Sequence, residues 1–600
     1  MIFYAIRITE NSMHPRFTSL ILAVSLLSAC SATAPTKPVA AARGDYTHTQ
    51  RYLTWLIEQE MADNDVTGLS IALVDDQKLV WSAGFGYSDA ENKVVATPET
   101  PYRMGSIAKI ITASAAMRMA ENGQMDIDQP LLRYLPGFSI KSRFDSTAPV
   151  TPRNIMTHHS GLPSNYLKGM TNHNPPYFTS LVDVVADEYV AYPPNYIFAY
   201  SNLGMTLLGA AIEKQSGQSY AGYIERSFFQ PLGMKSSYFS SEPAIKGYKD
   251  GKLSRPMPLR DLPSGGLVSN VSDLGNFLKM VFADGRYGGE QILKAGTLHE
   301  MLRPQNDAIP LDLNLRMGLG WMLSGFDVKR GGVAAGHGGS LLDFHSMMLT
   351  LPDHKLGVIV ASNSATSMSM VNKIANEALK LMLEAKTGIE SPVEININTE
   401  SEEPLPQQKL DAYTGYFDTV VGLVKVRNQS GDLNAEVMGH TFTLPPQTDG
   451  WLGIKYKLLG MVPVSVSALD HIRLNLDQVG GHDVLIGKIG GEATVFGNKL
   501  QAPAEPHWMM DYVGKYELLT RSDGPLPDNI ALKNEDGIFI GECTFAEMPD
   551  FVLRVGIHPV SENEAVISGL GSGRGETIRM VRDQSERRLV FSGFELRKVN

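Results

Sequence analysis

Cysteine is nearly absent from this chain of 600 residues: there are two, Cys30 and Cys543. Two cysteines cannot build a disulfide framework, and no Cys-x-x-Cys or His-Glu-x-x-His spacing exists to hold zinc. A stapled scaffold and a zinc hydrolase are therefore not expected, nor is any metal or other cofactor. Basic blocks are missing too. The formal net charge is −11, and no basic stripe with interleaved aromatics occurs, so nucleic acid is not an expected partner. Long apolar runs are lacking, and the one near the amino terminus is too short for a good transmembrane helix. What is present is ordinary globular composition, 43% hydrophobic and 20% charged. At roughly 150 residues per domain, that is material for about two to four domains.

The two cysteines read differently. Cys543 lies in "IFIGECTF", an apolar strand pattern in which a cysteine is a small buried residue. Cys30 ends "HPRFTSLILAVSLLSAC": a basic flank at Arg16, an apolar run and a small-residue site, the three parts of a secretion signal. "LLSAC" also resembles the bacterial lipobox, in which the cysteine is lipidated and becomes the mature amino terminus. Residues 1–30 are thus expected to be a lipoprotein signal peptide, with Met13 as an alternative start, and Cys30 to carry the lipid that joins the protein to a membrane. Serine after Cys30 implies, by resemblance to Gram-negative lipoproteins, an outer-membrane lipoprotein facing the periplasm.

Residues 31–44 are rich in Ala, Pro, Thr and Lys and read as a tether. "THTQRYLTWLIEQEMADNDV" has helical periodicity, and "GLSIALVDDQKLVWSAGFGYSDA" reads as two strands around a polar turn at Asp75–Gln77. "YRMGSIAKIITASAAMRMAENGQ" reads as a helix opening on Gly105 and Ser106, followed by a long, mostly helical region to about Leu302. "LLDFHSMMLTLPDHKLGVIVASN" is a second strand pair turning at Pro352–Asp353, and "MSMVNKIANEALKLMLEA" an amphipathic helix. Strands at both ends of residues 45–386 with helices between them predict an α/β (α+β) arrangement, an antiparallel sheet flanked by helices. Residues 387–409 are acidic and Pro-bearing, a linker. Beyond them come short alternating stretches broken by Gly, Asn and Asp, an all-β pattern. "YTGYF" at Tyr413 and "YVGKY" at Tyr512 share Tyr-x-Gly-x-aromatic, which divides this part into two barrel-like units, 410–500 and 508–600.

Three elements carry chemistry. Ser106 and Lys109 stand at i and i+3, one helical turn apart on one face. Ser106 is at a helix start, where free N–H groups and the dipole favour developing negative charge. Lys109 sits among apolar neighbours, and desolvation lowers a lysine's pKa toward the neutral form a base needs. Tyr200, Ser201 and Asn202 precede a long helix, with Ser201 as a cap and a phenol beside a carboxamide. His337, Gly338 and Gly339 come just before an apolar strand, where paired glycines admit a close backbone or ligand.

In this order the three resemble the Ser-x-x-Lys, Tyr-x-Asn and Lys-Thr-Gly set of the serine β-lactamase and penicillin-binding protein family, on its class C side. "MTHHSGLPSN", "PSGGLVSNVSDLGNF" and "MGLGW" look like further stretches of it. The resemblance covers residues 45–386. It implies a β-lactamase/transpeptidase-like fold with a helical subdomain and a secreted serine hydrolase working through an acyl-enzyme. Ser106 would be the nucleophile, and Lys109 and Tyr200 would share the base role, in an order left open. Asn202 would bind a substrate carbonyl, and the amides of Ser106 and Ser340 would form the oxyanion hole. His337, with Gly338 and Gly339, replaces the usual lysine; a histidine of reference pKa near 6.5 is mostly neutral at pH 7, so a β-lactam carboxylate loses its cation. The expected substrate is a small molecule or peptide, D-amino acid or peptidoglycan-type. An esterase or weak β-lactamase, and a non-turnover acylated sensor or wall-binding protein, are the alternatives. The β units resemble barrel modules of D-aminopeptidase-type members, and are expected to cover the cleft or to act as a spacer.

Overall fold

The strand pairs from the two ends of the amino-terminal region join in one sheet. A computed structural model describes residues 33–37, 42–145, 148–392 and, with short gaps, 401–599. Six antiparallel strands lie in the order Ala335–Leu341, Phe344–Leu351, Leu356–Ser362, Gly68–Asp75, Lys78–Asp89 and Val94–Val95. The central pair, Gly68–Asp75 and Leu356–Ser362, reads as near-continuous apolar sequence because both faces of the sheet are covered. Leu69, Ile71, Leu73, Val358 and Val360 face one core, which the helices Thr47–Asp63 and Met368–Thr387 close. Ala72, Val74, Ile359 and Ala361 face the other, against Ala108–Glu121, Asn202–Ser216 and Val271–Phe282. This is the antiparallel sheet between helices that the sequence predicts.

The helix that opens after Gly105 and Ser106 runs over Ala108–Glu121, and the residues before it, Tyr102–Gly105, are a short strand paired with Leu267–Ser269, with Tyr102 and Met104 in the core. One local expectation changes. His337, Gly338 and Gly339 do not precede a strand. They lie within the edge strand Ala335–Leu341, whose glycines hide its alternation and whose register comes from its neighbour, Gly338 opposite Met347 and Ser340 opposite His345.

The carboxy-terminal part is all β. Nine antiparallel strands form a half-barrel over Phe417, Val424, Leu433, Phe442 and Leu474; its ends approach where Leu452 and Leu474 exchange two main-chain hydrogen bonds of 2.8 Å. A closed eight-stranded barrel follows, from Gly514–Leu518 to Phe594–Val599. The Tyr-x-Gly-x-aromatic repeat marks equivalent points. Tyr413 and Tyr512 end the short helices Gln407–Tyr413 and His507–Tyr512, Gly415 and Gly514 open the first strand, and Phe417 and Tyr516 enter the cores. Cys543 is in the strand Ile538–Phe545 but is half-buried rather than buried. Cys30 and its apolar run lie outside the described residues; among those, no helix is long and apolar enough to cross a membrane.

Candidate active site

The chain turns from strand to helix at Gly105 and Ser106. Gly105 has φ +51°, and a Cβ there would lie 2.7 Å from the Ser340 amide nitrogen, so the turn and the close approach both require glycine. Gly339 faces it: a Cβ on Gly339 would lie 2.0 Å from the Met104 carbonyl oxygen. Ser346 pins this crossing by donating its hydroxyl to that same carbonyl at 2.9 Å. The Ser340 amide is thereby brought against the turn that carries Ser106.

Lys109 is fully buried, and its amine touches three oxygens. It donates to Asn202 Oδ1 and to the Ser264 carbonyl, each at 2.7 Å, and lies 3.0 Å from Ser106 Oγ. Burial holds the amine well below the usual lysine range; the Asp261 carboxylate pulls the other way. In the neutral form that burial favours, the amine keeps two donors for Asn202 and Ser264 and can turn its lone pair to the Ser106 hydroxyl. The turn supplying Ser264 is itself fixed: Thr112, on the same helix as Lys109, donates to the Pro263 carbonyl at 2.6 Å, and Ser264 Oγ donates to the Asp261 carbonyl at 2.9 Å.

Ser201 caps the helix Asn202–Ser216 by accepting from the Gly204 amide at 2.8 Å, which sets Asn202 on its first turn. Asn202 gives one N–H to Asn165 Oδ1 at 2.9 Å and keeps the other. Burial raises the Tyr200 phenol above its ordinary range, while its hydrogen bond with Ser106 lowers it. The Tyr200 ring lies on His158, centroids 4.1 Å apart, and the Lys109 amine is 4.7 Å from the Tyr200 ring centre. His158 accepts the Ser201 amide on Nδ1 at 3.1 Å, and burial holds its pKa well below the ordinary value.

His337 is 3% exposed, and burial, with Lys109 nearby, lowers its pKa to about 4. Its Nδ1 is 2.7 Å from the Gly338 carbonyl oxygen, so Nδ1 carries the proton and Nε2 is a bare acceptor, buried without a partner.

The closed barrel reaches this cleft. Its loop 568–576 runs between the strands Glu564–Ile567 and Thr577–Asp583. The Tyr200 amide donates to Ser572 Oγ, the Gly573 amide to Ser164 Oγ, and the Ser164 amide to Glu576 Oε1, each at 2.8 Å. Arg574 ties the same loop to Asp418 of the half-barrel at 2.8 Å.

Ser106, Lys109, Tyr200, Asn202 and His337 therefore converge, with Gly338, Gly339 and Ser340 on the adjoining strand. Sequence reasoning assigned no role to Ser264, His158, Asp261 or Asn165. Their signal was in "PSGGLVSN", in the residues before it and in "MTHHSGLPSN", where only the fold gives each a partner. Ser572 had no signal.

Comparison with known proteins agrees with this architecture. Protein flp of Staphylococcus aureus (strain MW2) is 26% identical over 332 residues, which cover 52% of this chain and 63% of that protein, so the chain spans under two thirds of that relative's length. SurE, solved with D-Leu, superposes with a TM-score of 0.53 at 20% identity over 75% of this chain and 99% of SurE. The octameric penicillin-binding protein homologue from Pyrococcus abyssi matches over 91% of this chain and 99% of its own, at 21% identity and a TM-score of 0.48. The Beta-lactamase family profile matches residues 53–381. That span exceeds half of the sequence and holds every residue of the Ser106 cluster except the barrel's Ser572, and on this ground the chain belongs to the Beta-lactamase family.

Proposed function

We propose that this protein hydrolyses an amide, peptide or ester through an acyl-enzyme on Ser106. The observation that carries the reading is the buried Lys109 amine, held by Asn202 and Ser264 with its third position on Ser106 Oγ. Ser106 Oγ attacks the substrate carbonyl and its proton passes to Lys109 Nζ. The carbonyl oxygen, now anionic, takes the amides of Ser106 and Ser340. Tyr200, a phenol kept protonated by burial and hydrogen-bonded to Ser106, relays the proton to the leaving group and then serves the hydrolytic water. This geometry favours Lys109 over Tyr200 as the first base. The free N–H of Asn202 receives a substrate carbonyl.

His337 directs the choice of substrate. At pH 7 it offers Nε2 as an acceptor and no cation, so we favour a substrate with a donor there, a peptide N–H or hydroxyl, over a β-lactam carboxylate. Peptidase-like action on D-amino acid peptides is our preferred form, with an esterase next. The hydrogen bonds of loop 568–576 to Ser164 and Tyr200 support barrels that limit the cleft over barrels that merely space it. The amino-terminal sequence supports export and lipidation at Cys30; Cys30→Ser should move the protein from the membrane fraction to the soluble envelope fraction, and unchanged fractionation would refute the anchor.

The test of the chemistry is labelling with a serine-directed fluorophosphonate, together with a panel of D-aminoacyl anilides, D-Ala-D-Ala peptides, short esters and chromogenic β-lactams. Labelling should vanish in Ser106→Ala, with kcat falling about 10⁴-fold or more. A folded wild type that takes no label refutes the reading. A burst of one product equivalent without turnover across the panel would favour the acylated sensor.

A further inference from the structure

A cavity of about 580 Å³ opens at the end of the sheet, one turn of chain beyond Ser340. Its floor holds Arg103, three residues before Ser106, and its wall the hairpin Leu341–Phe344, which continues the edge strand. The outer wall is formed by residues 243–247, 253–254 and 256–257. Most polar groups lining it are already matched: Arg103 donates to the Met257 and Ser241 carbonyls at 2.6 and 3.2 Å, Lys246 to Asp89 at 2.9 Å, and Ser254 to Asp343. Arg103 Nε lacks a partner and is shut off from solvent. What the groove shows to solvent is mostly apolar, with Asp89 and Lys246 as its paired polar edge. Val94, Leu253 and Leu342 are 51%, 53% and 50% exposed and line the same opening.

Leu342 is costly where it stands. Leu341 pairs with Phe344, so Leu342 is the first central residue of a two-residue hairpin, at φ +35°. That position favours glycine, and a leucine there is strained as well as exposed to water. Strain and exposure at one aliphatic side chain, beside a groove running on from the oxyanion strand, point to a side chain kept for what it touches. Leu342 stands two positions past Ser340, at most roughly 7 Å along the chain, within reach of a group whose carbonyl sits at Ser106.

We propose that this groove is the subsite for the acyl part of the substrate, and that it takes an aliphatic chain or aliphatic side chain laid on Leu342, Leu253 and Val94. This rests on the acyl-enzyme reading above and names the group that enzyme accepts.

The test uses the full chain with p-nitrophenyl acetate, butyrate, hexanoate and octanoate. In wild type, kcat/KM should rise by about tenfold or more from acetate to the best longer ester, since each buried methylene adds about 0.8 kcal/mol. Leu342→Gly relieves the strained turn, so it should fold at least as stably, keep acetate turnover, and lose the gain with chain length. Leu253→Asp, at an exposed position, should do the same. A wild type indifferent to chain length, or variants that keep its preference while folded, overturns the subsite. Loss of acetate turnover and of fluorophosphonate labelling in wild type would instead strike the acyl-enzyme reading.

Discussion

Lowering the pH should destabilise this protein through His337 in a way that one substitution removes. Folded His337 has a pKa of about 4 because its ring is buried near Lys109; unfolded, it returns to about 6.5. The folded pKa is depressed, so the neutral ring's contribution is whole above pH 6.5 and is lost as pH falls, since the unfolded chain then binds the extra proton. For pKa values of 4 and 6.5, the loss is about 2 kcal/mol at pH 5 and about 3 kcal/mol at pH 4. Other groups titrate in the same window, His158 among them, so the measurement is a difference. Urea unfolding of wild type and His337→Gln at pH 7.5, 6, 5 and 4 should give free energies whose gap shifts toward the variant by those amounts. Because the chain has several units, the transition to follow is that of the amino-terminal region, by hydrogen exchange in its central strands. Parallel pH dependences for the two proteins would refute a neutral, buried His337, and with it the argument that no cation stands there for a β-lactam carboxylate.

Gly339→Ala would drive a methyl into the Met104 carbonyl, 2.0 Å from where its Cβ must lie; a loss of about 1–3 kcal/mol in stability and a collapse of kcat with little change in folded secondary structure are expected, and an active, equally stable variant would contradict the close crossing. Asp261→Asn removes the carboxylate that favours the charged form of Lys109, so the acid limb of kcat/KM should move to lower pH; an unmoved limb would mean that Lys109 is not the group titrating there.

Much of this was legible in the chain. Apolar strands of "GLSIALVD" and "LGVIVAS" type, with amphipathic helices outside them, specify a sheet buried on both faces, because periodicity and burial are local properties of sequence. Ser106, Lys109, Tyr200, Asn202 and His337 were legible as residue types at spacings that chemistry needs. The strand at Tyr102–Gly105 was not, because its pairing with Leu267–Ser269 is made with residues more than 160 positions away. The edge strand around His337 was hidden for a related reason: its glycines carry no alternation, and only Phe344–Leu351 beside it fixes the register.

The sequence by itself determined which groups are available: one serine followed by a lysine in apolar surroundings, a phenol next to an asparagine, and a histidine where the family has a lysine. Only the tertiary structure decided their states. Lys109 is held below its ordinary pKa because the fold buries it and gives its N–H groups to Asn202 and to a main-chain carbonyl at Ser264. His337 is neutral for the same reason, and Tyr200 is met by a serine from a barrel 372 residues further along the chain. Residue identity is written locally, whereas desolvation and hydrogen-bond partnership depend on what the rest of the chain brings to the same place.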